Sequence, residues 1–286
     1  MRNIIVLMRP HQWIKNIFVL APMFFAQHFT ADGVMRSFAA FGLFCMAASS
    51  IYILNDWHDI EEDREHPVKR NRPLASGAVS KPTALILMAV LAAVAVILSY
   101  FIALWLCIVI IMYIVMNILY TYKLKHVSVL DISVIAFGFV LRIFAGSFAM
   151  RIPTSTWIIM VTFQLALFLA LAKRRDDVLL ALEGKQTRKN IDGYNAEMIN
   201  ASMVFMAAVT VVSYIMYTVA PETVSRFGTR HLYLSSFFVI TGILRYMQIT
   251  FVENRSGSPT MLVYTDRFLQ LIIAGWLASF ILIPKL

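Results

Sequence analysis

The chain has 286 residues, of which 60% are hydrophobic and only 14% charged, with a mean hydropathy of +0.74. A soluble domain carries about a quarter charged residues, so a soluble globular protein is excluded. The net charge of +9 raises the question of nucleic acid, which the placement of the bases answers below.

Runs of about 20 apolar residues, each long enough to cross a bilayer as a helix, recur along nearly the whole length. They predict nine spans, at 16–29, 37–55, 83–103, 104–122, 129–149, 154–172, 198–220, 232–250 and 268–284. The fold class is therefore all-α, a polytopic membrane protein forming a single transmembrane domain over 1–286. Met1 to Asn16 is too polar, and too poor in small residues, for a removable signal peptide. The first span is short and interrupted by Pro22. The third and fourth meet with almost no loop, which requires a tight turn near Ala103. Cys45 and Cys107 both fall in apolar runs, with no zinc spacing and no required disulfide.

Orientation follows from loop lysines and arginines. With the N-terminus inside, Arg36, Arg151, Arg226, Arg230 and Lys285 lie outside and Arg142 lies within a span. The other 19 of the 25 basic residues are internal. The positive charge is thus an inside bias and no nucleic-acid footprint. The two long charged loops, 56–82 and 173–197, fall on the cytoplasmic face of what reads as a bacterial inner membrane, and the C-terminus falls outside.

Most of the first of these loops is contained in "YILNDWHDIEEDREHPVKRNRPLASG", Tyr52 to Gly77. If the second span continues as a helix past Leu54, Asp56, Asp59 and Asp63 share one face within about 60°, with Asn55 one turn before Asp59. Clustered carboxylates need a cation. Hard oxygen ligands of this kind suit Mg²⁺, which bridges to substrate phosphates. Arg64, Lys69, Arg70 and Arg72 follow directly and could take the remaining phosphate oxygens.

In the fifth span Asp131, Gly138, Arg142 and Gly146 form one polar, small-residue stripe. Asp131 and Arg142 are about 16 Å apart along the axis, so each needs another partner. An arginine inside a span faces the bundle interior or a wet cavity. No histidine pair has ligand spacing, and there is no Ser/His/Asp set, P-loop or dinucleotide fingerprint.

"NDWHDIEEDRE" resembles the NDxxDxxxD signature of the UbiA-type intramembrane prenyltransferase superfamily. Together with "RPHQWIKN", "DREHPVKRNRPLASG", "LKHVSVLDISVIAFGFVLRIFAG", "KRRDD" and "YTDRFLQL", it resembles the decaprenyl-phosphate phosphoribosyltransferase branch of that superfamily, over residues 9 to about 275. The resemblance implies a nine-helix UbiA-like bundle and a Mg²⁺-dependent transfer of 5-phosphoribosyl from phosphoribosyl pyrophosphate to a polyprenyl phosphate. It implies that Asn55, Asp56, Asp59 and Asp63 are the catalytic and metal-holding residues. In relatives with arabinose-containing walls the product feeds arabinofuranose donor synthesis. A homo-oligomer is neither required nor excluded.

At 173–177, where a prenyltransferase carries a second aspartate-rich motif, "KRRDD" has no acid four residues on from Asp176 or Asp177. Bases stand there instead, which suits a substrate with additional phosphates. Lys173 and Arg174 are accordingly candidate substrate ligands, with Lys15, Lys69, Arg72, Tyr122, Lys123, Asp131, Arg142 and Tyr194. A phosphate acceptor is already largely dianionic near pH 7, so no strong general base is demanded. The alternatives are an aromatic prenyltransferase of the same fold, which the incomplete second motif disfavours, and a transporter. No internal repeat of the transporter kind is present.

Overall fold

The computed structural model describes residues 2–182, 193–255 and 258–285. Among them every regular element is helical. In chain order these are α1 (Arg2–Met8), a 3₁₀ segment (Pro10–Leu20), α2 (Ala21–Phe25), α3 (Ala31–His58), α4 (Ile60–Glu65), α5 (Lys81–Ile102), α6 (Leu104–Tyr122), α7 (Leu130–Met150), α8 (Thr156–Leu182), α9 (Ala196–Val219), α10 (Pro221–Phe227), α11 (Ser236–Phe251), α12 (Pro259–Thr265) and α13 (Arg267–Leu282). Eight helices among the described residues are long and apolar enough to cross a membrane.

Starts and stops follow local chemistry. Thr30, Ser80, Asn195 and Asp266 cap α3, α5, α9 and α13, each accepting a hydrogen bond from a backbone N–H three residues on. The expected tight turn between the third and fourth spans is a single extended residue, Ala103 (φ −163°, ψ 136°). Much of the large apolar surface on α5 and α6 stays uncovered, including Ile86, Ile97, Phe101, Trp105 and Val115. Faces of this kind suit a hydrocarbon surround.

The first predicted span is not an α-helix. An eleven-residue 3₁₀ segment leads into the five residues of α2. Both Pro10 and Pro22 interrupt α-helical bonding here. The segment runs antiparallel to α3: Ser49 Oγ donates to Met8 O at 2.8 Å, Trp13 Nε1 to Ser49 Oγ at 3.0 Å, and Asn16 Nδ2 to Cys45 Sγ at 3.1 Å. At about 2.0 Å per 3₁₀ residue and 1.5 Å per α residue it covers about 29 Å.

The chain forms two compact units: 1–125 with 138–154, and 126–137 with 155–286. In the first, α3 packs on α5, α6 and the 3₁₀ segment, around Phe44, Ala48, Ile110, Leu141 and Ala145. Gly146 lets α7 touch the 3₁₀ segment, since a Cβ there would stand 1.9 Å from Val19 O. A second cluster of this unit buries Leu7, Ile53, Ile60, Leu74 and Leu91. In the second unit, α8 packs on α9 and α11 on α9 and α13, around Phe168, Met203, Tyr246 and Ile249.

Candidate active site

In the first unit the acidic stretch lies at the C-terminal end of α3. The helix reaches His58 but breaks at Asp59 (φ −98°, ψ 15°) and resumes as α4. The break seats Ile60 in the core beside Leu7 and Ile53. Amide bonds from Asp59 to Asn55 O and from Asp63 to Asp59 O hold the two pieces together. Three carboxylates on one continuous face is therefore not what forms.

Asp56 and Asp63, each with a side chain 2% exposed, instead converge on one guanidinium. Arg72 Nη1 donates to Asp56 Oδ1 at 3.1 Å and to Asp63 Oδ2 at 2.6 Å. Asp56 Oδ1 also accepts from Arg9 Nη2. Arg9 takes a left-handed backbone (φ 53°) immediately before Pro10, a conformation rare for a residue with a side chain. Asp59 turns elsewhere, to His58 Nδ1 at 2.7 Å and Lys125 Nζ at 3.3 Å. Burial alone pushes the Asp59 carboxyl up, but the bonds from His58 and Lys125 outweigh it, and the net shift is downward. Asn55 Oδ1 accepts from Thr121 Oγ1 at 2.5 Å.

Among the described residues no three histidine, cysteine or acidic side chains assemble into a metal-binding group. Two carboxylates do meet, however, at a position already held by a cation. Oxygen donors of this number suit Mg²⁺, which binds through one or two carboxylates and fills its shell with water and phosphate. The donor chemistry fits that ion.

Arg142, 4% exposed, is satisfied within the first unit. It donates to Asn16 Oδ1 at 2.8 Å, to Gly138 O at 2.7 Å and to the Tyr113 hydroxyl at 3.4 Å. Its guanidinium lies 4.9–5.1 Å from the ring centres of Phe44, Tyr113 and Phe139, which stabilise a desolvated cation. Asp131 belongs to the second unit, fully buried, and takes Arg174 Nη2 on Oδ2 and the Tyr194 hydroxyl on Oδ1 at 2.5 Å. Tyr194 accepts in turn from Val129 N–H at 2.6 Å. Burial first, and then the bond to Asp131, raise the Tyr194 hydroxyl pKa. Arg174 also pairs with Asp177 at 2.7 Å. Asp131 and Arg142 thus find separate partners, as their spacing requires. The partners of Arg142 and Arg174 are internal, and the two arginines tie together the elements that carry them.

Of the other predicted site residues, Lys69, Tyr122, Lys123 and Lys173 are exposed and Lys15 is half-buried. Tyr122 packs edge-on against His58, ring centres 5.0 Å apart. Residues 183–192, the middle of the second predicted loop, lie outside those described. Several partners were not among the predicted site residues, among them Arg9, Asn16, Thr121 and Lys125. Arg9 stands in "RPHQWIKN" and Lys125 in "LKHVSVLDISVIAFGFVLRIFAG", so the motifs contained them, but only folding pairs them with residues 47 and 66 positions away.

The chain is an all-helical membrane protein whose acids and bases gather at the C-terminal end of α3. The model of the UbiA prenyltransferase family matches residues 16–272, and the chain belongs to that family. It is 34% identical to a decaprenyl-phosphate phosphoribosyltransferase of Mycolicibacterium smegmatis, over 97% of this chain and 91% of that one. The enzyme of the same name from Corynebacterium glutamicum is 32% identical, over 94% and 82%. Among solved structures, a UbiA homolog from Archaeoglobus fulgidus bound to GPP and Mg²⁺ superposes with a TM-score of 0.71 at 17% identity, covering 98% of both chains. A digeranylgeranylglyceryl phosphate synthase gives 0.66 at 19%, covering all of both. At those identities the structures establish the fold alone.

Proposed function

We propose that the protein transfers 5-phosphoribosyl from phosphoribosyl pyrophosphate to a polyprenyl phosphate, releasing pyrophosphate. The observation that carries this reading is the near-full-length similarity, at 30–34% identity, to proteins named decaprenyl-phosphate phosphoribosyltransferase. The basic "KRRDD" where a prenyltransferase has acids supports it.

In this reaction an oxygen of the lipid phosphate forms a bond to the anomeric carbon of ribose while the bond from that carbon to pyrophosphate breaks. Attack opposite the leaving group inverts an α donor to a β product. The acceptor arrives as an anion, so positioning and charge stabilisation carry the catalysis. Asp56 and Asp63 would hold Mg²⁺, which when bound stabilises the charge on the departing pyrophosphate. Arg9 and Arg72 keep that carboxylate pair in place and put positive charge beside it. Asp59, kept ionised by His58 and Lys125, adds a further acceptor at the same helix end, and Thr121 fixes the Asn55 amide. Lys69 and Lys123 make no ion pair among the described residues and are exposed bases of this unit placed to meet substrate phosphates. In the second unit, Lys173 is the exposed base next to the buried Arg174. Lys15 and Tyr122 remain candidate contacts, while Asp131, Arg142, Arg174 and Tyr194 act by holding other residues in place.

The cytoplasmic placement of the α3–α5 and α8–α9 connections belongs to the same proposal. So does a ninth crossing made by the 3₁₀ segment and α2, which puts the N-terminus on the side of the Asp56 cluster. Incubation of the purified protein with phosphoribosyl pyrophosphate, decaprenyl phosphate and Mg²⁺ tests the activity. Mass spectrometry of the lipid phase should show the acceptor gaining one phosphoribosyl unit, with pyrophosphate released in equal amount. Absence of that product with every component present sinks the reading.

A further inference from the structure

Arg175 follows Arg174 on α8 but points to different neighbours. Its Nε donates to Asn200 Oδ1 at 3.0 Å, and its Nη1 donates to Thr250 O at 2.7 Å and Asn254 Oδ1 at 3.0 Å. The face of Phe251 lies 5.1 Å from the guanidinium carbon. Every one of these partners is uncharged. The side chain is only 8% exposed, yet it forms no ion pair with a carboxylate among the described residues. A buried guanidinium is costly; the carboxylate of Asp176, the next residue in the chain, offsets part of that cost through space, and three neutral acceptors hold the group directly. One of them, Asn254, adopts a left-handed backbone (φ 49°).

Two donors remain at this point. Arg175 Nη2 and Asn200 Nδ2 make no hydrogen bond among the described residues, and neither is sealed from solvent. Both residues line an open cavity of about 750 Å³, whose other walls are Ala201, Val204, Phe205 and Phe251. Residues 200, 201, 204 and 205 lie one turn apart along one face of α9. Val204 is 52% and Phe205 64% exposed, so hydrocarbon continues directly from the polar end. The exposed stripe extends along the helix through Val212 and Met216.

We infer that this groove binds an anionic phospholipid of the surrounding bilayer, its phosphodiester on Arg175 and Asn200 and an acyl chain along Val204 and Phe205. The charge balance selects this ligand. One guanidinium, with two of its nitrogens already engaged, matches the single negative charge of a phosphodiester. A phosphate monoester such as a polyprenyl phosphate carries nearer two charges at pH 7, and no second base lines the cavity. The inference goes beyond the proposed activity and does not depend on it.

The test uses delipidated full-length protein in detergent, titrated separately with phosphatidylglycerol, phosphatidylcholine and decaprenyl phosphate. Retained lipid is read by native mass spectrometry. Asn200→Asp gives Arg175 an internal counter-charge with almost no change of shape. It should weaken phosphatidylglycerol binding at least tenfold, the loss of one charge-assisted hydrogen bond, while leaving the protein as heat-stable as before or more so. Arg175→Gln should lose the lipid as well; should it fail to fold, Asn200→Asp still decides. Phosphatidylcholine, with no net charge, should be retained at least tenfold less well by the wild type. Undiminished phosphatidylglycerol binding by Asn200→Asp overturns the inference, as does equal retention of phosphatidylcholine. So does decaprenyl phosphate displacing phosphatidylglycerol from the wild type at equal concentration. None of these readouts uses turnover, so the inference and the proposed activity fail separately.

Discussion

Replacing Arg72 by Met removes the cation on which Asp56 and Asp63 converge. Asp56 keeps Arg9, but Arg72 is the only ion-pair partner of Asp63 among the described residues. Removing one partner of a buried pair costs about 3–5 kcal/mol. The Arg72 side chain is 29% exposed, so water already screens part of the attraction and a cost below that range, about 2–3 kcal/mol, is expected. The variant also frees the position for a metal. Mg²⁺ at about 100 times its dissociation constant would return about 2.7 kcal/mol, so it should stabilise Arg72→Met more than the wild type, in which the guanidinium competes. Cys45 and Cys107 are both free and buried, so a thiol-reactive fluorophore reports unfolding directly in detergent. Unchanged melting of Arg72→Met without metal, or a Mg²⁺ effect no larger than in the wild type, would refute the reasoning.

Gly146→Ala forces a methyl against Val19 O, 1.9 Å away; overpacking of this kind costs about 1–3 kcal/mol. The thiol assay should show that loss, although Ala favours an isolated helix over Gly by about 1 kcal/mol. The Asp266 carboxyl is held below its usual range, first by the hydrogen bond from Arg245 at 2.6 Å and also by capping Leu269 N–H at 2.8 Å. A depressed folded pKa gives stability that is complete above the unfolded value of about 4 and lost as pH falls through the folded value. Asp266→Asn should therefore lower the melting point at pH 7 and flatten its decline between about pH 5 and 3; parallel acid limbs would contradict this. For topology, a cysteine placed at residue 66 should resist an impermeant maleimide in intact cells and react after permeabilisation. Labelling from outside reverses the orientation.

Much of the architecture was legible because apolar length is a strong signal. Eight helices stand where runs of hydrocarbon predict them, and Ala103 makes the tight turn. The N-terminal span was misread as α-helical, since a 3₁₀ segment leaves no distinctive periodicity and Pro10 and Pro22 spoil the helical one. The rise per residue alone required Asp131 and Arg142 to find separate partners. It could not say which, because Asn16 and Arg142 are 126 positions apart. The break at Asp59 was hidden for a related reason. No glycine or proline marks it, and the burial of Ile60 beside Leu7 is visible only in the fold. The basic charge of "KRRDD" was legible, whereas its division between Asp131 on one side and a neutral amide cage on the other depends on where α7, α9 and α11 pack.

The donor that the site accepts separates the two enzyme readings. A prenyl diphosphate has one charged end, whereas phosphoribosyl pyrophosphate adds a 5-phosphate on a polar sugar. Both should be offered together to the purified protein, with Mg²⁺, decaprenyl phosphate and an aromatic acid acceptor, and the consumption of each followed in the same tube. The account predicts that phosphoribosyl pyrophosphate disappears at the rate at which ribosylated lipid forms, while geranyl diphosphate remains intact. Consumption of geranyl diphosphate with prenylation of the aromatic acid, and no ribosylated lipid, would contradict it.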